Sequence, residues 1–231
     1  MMRQLKTEGF ALWKRKGILL VTLSAFLLSA LFVCSSAKMS MDAPSLIVYS
    51  FGNVDFLTVG SLCAAWFLGA QFHDKTLQNE IKLGYSRGSI LITRYLFSCL
   101  IAIAIHIAWS TGSILGYLLK YETDFSLLNP QHYFWIALIL FKIAAIQSIT
   151  FFTVCCIRKS LPAILASALL TFFFCNFMKF FSQSKIFTYS CFSFAEYREQ
   201  QAMGVSLIYT LTFGFFVLGF TYLLFCRADI D

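Results

Sequence analysis

Long apolar runs separated by short polar stretches set the pattern of this chain. Six runs stand out, at about residues 18–36, 51–72, 90–119, 133–157, 161–178 and 205–226. A hydrocarbon core of about 30 Å takes roughly 20 apolar residues to cross as α-helix, and each run approaches or exceeds that length. The pattern predicts an all-α polytopic membrane protein, a single domain over 1–231 with six transmembrane helices. Ahead of the first run, residues 3–16 mix Leu5, Phe10, Leu12 and Trp13 with Lys6, Glu8 and Lys14. That stretch is too polar to cross. It reads either as an interfacial helix with its aromatics at headgroup depth or as a solvated tail ending in a basic anchor. Its length, and the 19 residues of the run behind it, favour a retained span over a cleaved signal.

The connections at 37–50, 120–132 and 179–204 fall on one side of the predicted membrane. The last is dense in Phe and Tyr, which predicts a segment lying on the bilayer surface or dipping into the bundle as short helices. Basic residues set the orientation. Of the 18 Lys and Arg, twelve fall on the side of the N-terminus, the 74–94 stretch, Arg158, Lys159 and Arg227, and five on the other. The positive-inside rule then places both termini and the 74–89 loop in the cytoplasm of a cell-membrane protein.

Composition agrees with this picture. Hydrophobic residues make up 59% of the chain and charged ones 13%, with a mean hydropathy of +0.75; a soluble domain carries about 25% charged residues. The net charge of +7 lies in short runs beside apolar segments. That is the pattern of topology signals and anionic-lipid contacts, not of a nucleic-acid surface. The 8 cysteines include no C-x-x-C, so they read as small apolar side chains rather than a disulfide framework or zinc site. Cys191 alone is expected to face the outside.

The polar stretch from Phe72 to Arg94 carries the most information. Asp74 or Thr76 can cap a short helix, and Gly84 can end it in the left-handed conformation. Leu77 and Ile81 stand four apart on one face, with Glu80 and Leu83 along its edge. Ser86 can cap the next helix, which enters the membrane at Ile90. A two-turn amphipathic helix between two spans is shaped for a partner's groove.

These residues resemble the coupling segment of type-2 ABC exporter permeases. Thr76-Leu77, Gly84, Ser86-Arg87 and Arg94 match the family in order and spacing, while Lys75 and Gln78 depart from its usual Gly and basic residue. Glu8 followed by Lys14-Arg15-Lys16 is similar to the family's elbow helix. Phe225-Cys226-Arg227-Ala228-Asp229-Ile230 is similar to its Phe-x-Arg-x-Asp-Ile ending. The resemblance implies that Asp74, Thr76, Leu77, Glu80, Ile81, Leu83, Gly84 and Arg87 dock a separate ATP-binding subunit, which holds ATP and Mg. It also implies a second permease chain, identical or homologous, and an amphipathic or lipid-like substrate such as an antimicrobial peptide, that substrate class resting on analogy. The chain itself has no G-x-x-x-x-G-K-[ST] loop, no H-E-x-x-H and no G-x-S-x-G. It is therefore read as carrying no enzyme activity, cofactor or metal of its own. The rival reading is a non-transporting membrane assembly or structural protein, or a small membrane enzyme with a diffuse site.

Two polar residues inside the spans invite both functional and structural readings. Lys142 lies near the middle of the 133–157 run, where a lysine costs roughly 2.5–3.5 kcal/mol on insertion scales. It either lines a translocation path or pairs across a dimer, or it snorkels to a headgroup or a wet crevice. His106 reads as a titrating group or as a hydrogen-bonded structural histidine. Asp55 and Asn53 are expected at the wet outer end of their span.

Overall fold

A computed structural model describes residues 16–36, 41–52, 55–73, 76–122, 130–157, 159–177, 188–193 and 200–227, together with Lys6, Gly9, Phe10, Leu12 and Lys14. The main helices are α1 (Lys16–Ser36), α2 (Ala43–Phe51), α3 (Asp55–His73), α4 (Thr76–Lys82), α5 (Arg87–Leu118), α6 (Pro130–Ile157), α7 (Ser160–Phe177) and α8 (Gln200–Arg227). No strand occurs among the described residues. Four helices are long and apolar enough to cross a membrane: α1, α5, α6 and the Ala202–Phe225 part of α8. Helices α3 and α7 have 19 and 18 residues, rods of about 28 and 27 Å against a hydrocarbon core of about 30 Å; their apolar stretches among the fully described residues are Leu57–Gln71 and Leu161–Phe177.

The expected second span, 51–72, is one helix from Asp55 onward, α3, and a separate short helix stands before it. Helix α2 ends at Phe51, where the Gly52 amide closes on the Val48 carbonyl at 2.8 Å, and α3 begins at Asp55. Most of α2 lies in what the sequence pattern marks as an outer connection, yet Ala43, Leu46, Ile47, Ser50 and Phe51 are buried. Pro44 suits the first turn of a helix, and the apolar residues behind it give that short helix a face to bury. The burial runs along α5. The Tyr117 hydroxyl accepts from the Met41 amide, Ser110 Oγ donates to the Ser50 carbonyl at 3.1 Å, and His106 Nε2 lies 3.1 Å from the Phe51 carbonyl. Further down, a Cβ on Gly60 of α3 would stand 3.2 Å from Ala102 Cα of α5. Helices α2 and α3 thus form one discontinuous helix running antiparallel to α5.

Close approach also fixes α1 on α5. Gly112 and Gly116 face Phe26, Ser29 and Ala30 of α1 with no room for a side chain, the small-xxx-small arrangement of helices that meet in lipid. Helix α6 lies among α3, α5, α7 and α8, and α3 also packs on α7. One core cluster gathers Phe67, Ile90, Phe97, Phe151 and Phe225 toward the α4 end, and Leu12 of the N-terminal stretch packs on it. The other gathers Trp135, Ile139, Ile143, Ile146 and Phe192 toward the opposite end. The outward faces are apolar too, with Leu20 and Leu31 on α1 and Phe215 and Phe216 on α8 exposed. A bundle apolar outside as well as inside is made for a lipid surround.

Candidate functional site

Three polar constellations interrupt the apolar interior. The first fastens α4 to the bundle. Helix α4 closes in a Schellman turn: the Tyr85 amide donates to the Glu80 carbonyl at 3.2 Å and the Gly84 amide to the Ile81 carbonyl at 2.9 Å. Gly84 has φ +85°, a conformation that glycine adopts without a Cβ penalty. Ser86 then caps α5, its Oγ accepting from the Ser89 amide at 3.3 Å. Two turns into α5, the buried Arg94 places Nη2 3.2 Å from Glu80 Oε2. Ile81 packs against the first core cluster beside Tyr85.

Of the residues expected to dock a partner, Glu80 and Ile81 are therefore engaged with the bundle. Leu83 is 75% exposed, and Asn79, Lys82 and Gly84 share that surface. Arg87 opens α5 and is partly buried. Asp74 lies outside the described residues, as do the side chains of Thr76 and Leu77.

The second constellation surrounds Lys142, 12 residues from the start of α6 and 1% exposed. It does not snorkel. Its Nζ donates to the Ser193 carbonyl at 2.5 Å. Ser193 belongs to the described segment 188–193, whose Cys191 and Phe192 are buried with it. The Phe192 ring stacks on Phe174 of α7 (5.5 Å, 15°) and meets Phe213 of α8 edge-on (5.4 Å, 75°). Ser206 Oγ of α8 donates to the Tyr189 carbonyl at 3.1 Å. Residues 189–193 are thus packed against α6, α7 and α8. Cys191 is a correction: it is 2% exposed rather than outward-facing, because the anchored Phe192 carries its neighbour inside. The flanking residues 178–187 and 194–199 lie outside the described residues.

A cleft of about 330 Å³ opens between α6 and α8, lined by Phe134, Leu138, Phe141, Met203 and Leu207. A second cleft, about 180 Å³, continues between the same helices past Phe141. His106 takes the structural reading, buried with its Nε2 at the Phe51 carbonyl and its ring edge-on to Phe51. Asn53 and the side chain of Asp55 lie outside the described residues.

A third polar knot escapes the sequence pattern. Ser61 of α3 accepts from Gln147 Nε2 of α6 at 3.1 Å and from Thr171 Oγ1 of α7 at 3.2 Å, all three buried. Each of the three stands among other polar residues of its apolar run, so nothing in the pattern singles them out. Among the described residues, no three His, Cys, Asp or Glu gather where they could hold a metal ion. The chemistry on offer is binding and mechanical linkage: a cation held in an apolar interior, and a surface helix clamped to a long spanning one. No protein-family model, curated protein or solved structure matches this chain.

Proposed function

We propose that this chain is the permease subunit of an ABC exporter, driven by a separate ATP-binding subunit that docks on α4 at the cytoplasmic face. In this reading the bundle has six spans. Helices α3 and α7 cross beside α6, to which Ser61, Gln147 and Thr171 tie them. The basic residues near α4 and both termini face the cytoplasm. The N-terminal stretch is an interfacial elbow, consistent with Lys14 Nζ lying 4.6 Å over the Phe10 ring. ATP and Mg belong to the partner, a second permease chain completes the transporter, and the substrate is an amphipathic peptide or lipid-like molecule.

One observation carries the reading. The Glu80–Arg94 pair fastens α4 to α5, while Leu83 is left exposed. Helix α5 has 32 residues, a rod of about 48 Å. A partner that moves α4 therefore moves α5, and with it the contacts to α1 and α2. The test is affinity isolation of tagged protein in a gentle detergent, assayed for ATPase activity. The wild-type chain brings down an ATPase. Leu83→Asp lowers its recovery about tenfold, in proportion to one lost apolar anchor, without changing the unfolding temperature. Isolation of a single chain without ATPase activity, or full recovery with Leu83→Asp, overturns the proposal.

A further inference from the structure

The segment 188–193 is a stretch of peptide seated in a site that would suit another peptide equally well. We propose that the slot formed by Lys142, Phe174, Phe213 and Ser206 binds an aromatic-containing stretch of an amphipathic peptide, and that the chain's own Tyr189–Ser193 segment occupies it as an internal competitor which that peptide displaces. Calling the peptide a substrate rests on the exporter reading; the binding itself does not.

Three observations support the assignment. Two polar contacts from the bundle reach the segment's backbone: Lys142 Nζ to the Ser193 carbonyl and Ser206 Oγ to the Tyr189 carbonyl. Any peptide offers the same acceptors. The side chain that fixes the register is one aromatic ring, stacked on Phe174 and edge-on to Phe213; aromatic rings of many kinds satisfy that geometry. A cleft also lies in the same part of the bundle. Leu138 and Met203 belong to the same core cluster as Phe192 and line the 330 Å³ cleft, whose rim residues Phe134 and Phe141 are exposed. A lysine at this depth is costly, and a neutral donor would suffice to pin one loop. A charged donor instead makes the stronger bond to whichever carbonyl occupies the slot.

The experiment uses the purified chain alone in nanodiscs of phosphatidylethanolamine and phosphatidylglycerol. The probe is a fluorescent synthetic amphipathic peptide of Lys, Leu and Phe, compared with a version in which Leu replaces Phe. Two signals are read: peptide binding by anisotropy, and maleimide labelling of Cys191 resolved by mass spectrometry. Cys191 is buried with the segment and should label slowly, and saturating Phe-containing peptide should raise its labelling rate about tenfold, while the Leu version does so weakly. Phe192→Ala should bind the Phe peptide about tenfold more tightly, because the competitor has lost its ring. Lys142→Met should label faster at Cys191 without peptide, yet bind peptide more weakly. If Phe192→Ala does not fold, Ser206→Ala removes only one bond to the segment's backbone and should show the same faster labelling at smaller size. Peptide binding that leaves Cys191 protected overturns the proposal, as does a folded Phe192→Ala with unchanged or weaker binding. Displacement seen here with no ATPase recovered in isolation would remove the exporter reading and leave the site standing. ATPase recovery without displacement would do the reverse.

Discussion

Gly116→Ala perturbs the contact that holds α1 against α5. A methyl group at 116 would stand 2.1 Å from the Ala30 carbonyl oxygen and 2.8 Å from Ala30 Cα. One at Gly112 would stand 2.1 Å from Ser29 Oγ and 2.3 Å from the Phe26 carbonyl oxygen. Carbon–oxygen contacts settle near about 3.3 Å, so the helices must part by roughly 1.2 Å. The obstacle at 116 is backbone, which cannot rotate aside as a side-chain end would. Overpacking costs about 1–3 kcal/mol, and a rigid obstacle puts this case near the upper end, about 3 kcal/mol. For a chain of this length that lowers the unfolding midpoint by about 6–12 °C. The assay is thermal unfolding in a gentle detergent followed with a thiol-reactive fluorogenic dye, which reports when buried cysteines such as Cys63 and Cys99 become accessible. The control is Gly219→Ala on α8, where an added Cβ meets nothing within 4 Å; it should stay within about 2 °C of wild type. If Gly116→Ala melts together with Gly219→Ala, the close approach of α1 and α5 is not what the structure describes.

Other perturbations separate the polar contacts. Ser61→Ala removes the acceptor shared by Gln147 and Thr171 and should cost about 1–2 kcal/mol, while Gln147→Leu, which leaves the Thr171 bond intact, should cost less; the two unfolding midpoints rank them. Glu80→Gln weakens the tie to Arg94 by about 2 kcal/mol, and should appear as faster hydrogen exchange of the α4 amides with the middle of α5 unchanged. Tyr117→Phe deletes the hydroxyl that meets Met41 and should cost about 1 kcal/mol, with faster exchange confined to the start of α2.

Local backbone chemistry is legible in the residues themselves. Gly84 ends α4 in the left-handed conformation and Ser86 caps α5, because each depends only on residues within one turn. The long apolar runs likewise locate α1, α5, α6 and α8 to within a few residues. The end of α2 at Gly52 is hidden, since hydropathy gives no sign that the first residue of the 51–72 run closes a separate helix. A nine-residue helix such as α2 is too short to register as a span at all. The partner of Lys142 is out of reach for another reason: Ser193 lies 51 positions away and contributes a backbone carbonyl, which carries no residue signature. Glu80 and Ile81 share the amphipathic face read from their spacing, but spacing cannot say which face meets the bundle and which meets a partner. Gly112 and Gly116 stand at the spacing of a close helix contact, a signal carried by the sequence that does not name the helix it meets.

The docking role of α4 is tested most directly by site-directed crosslinking from Leu83→Cys in intact membranes, with a short thiol-to-amine reagent. An adduct to a chain that binds ATP, formed from the cytoplasmic side and lost when that chain is absent, is the predicted result. A Leu83→Cys protein that yields no adduct, or whose thiol is labelled by an impermeant reagent added outside sealed cells, contradicts both the orientation and the permease assignment.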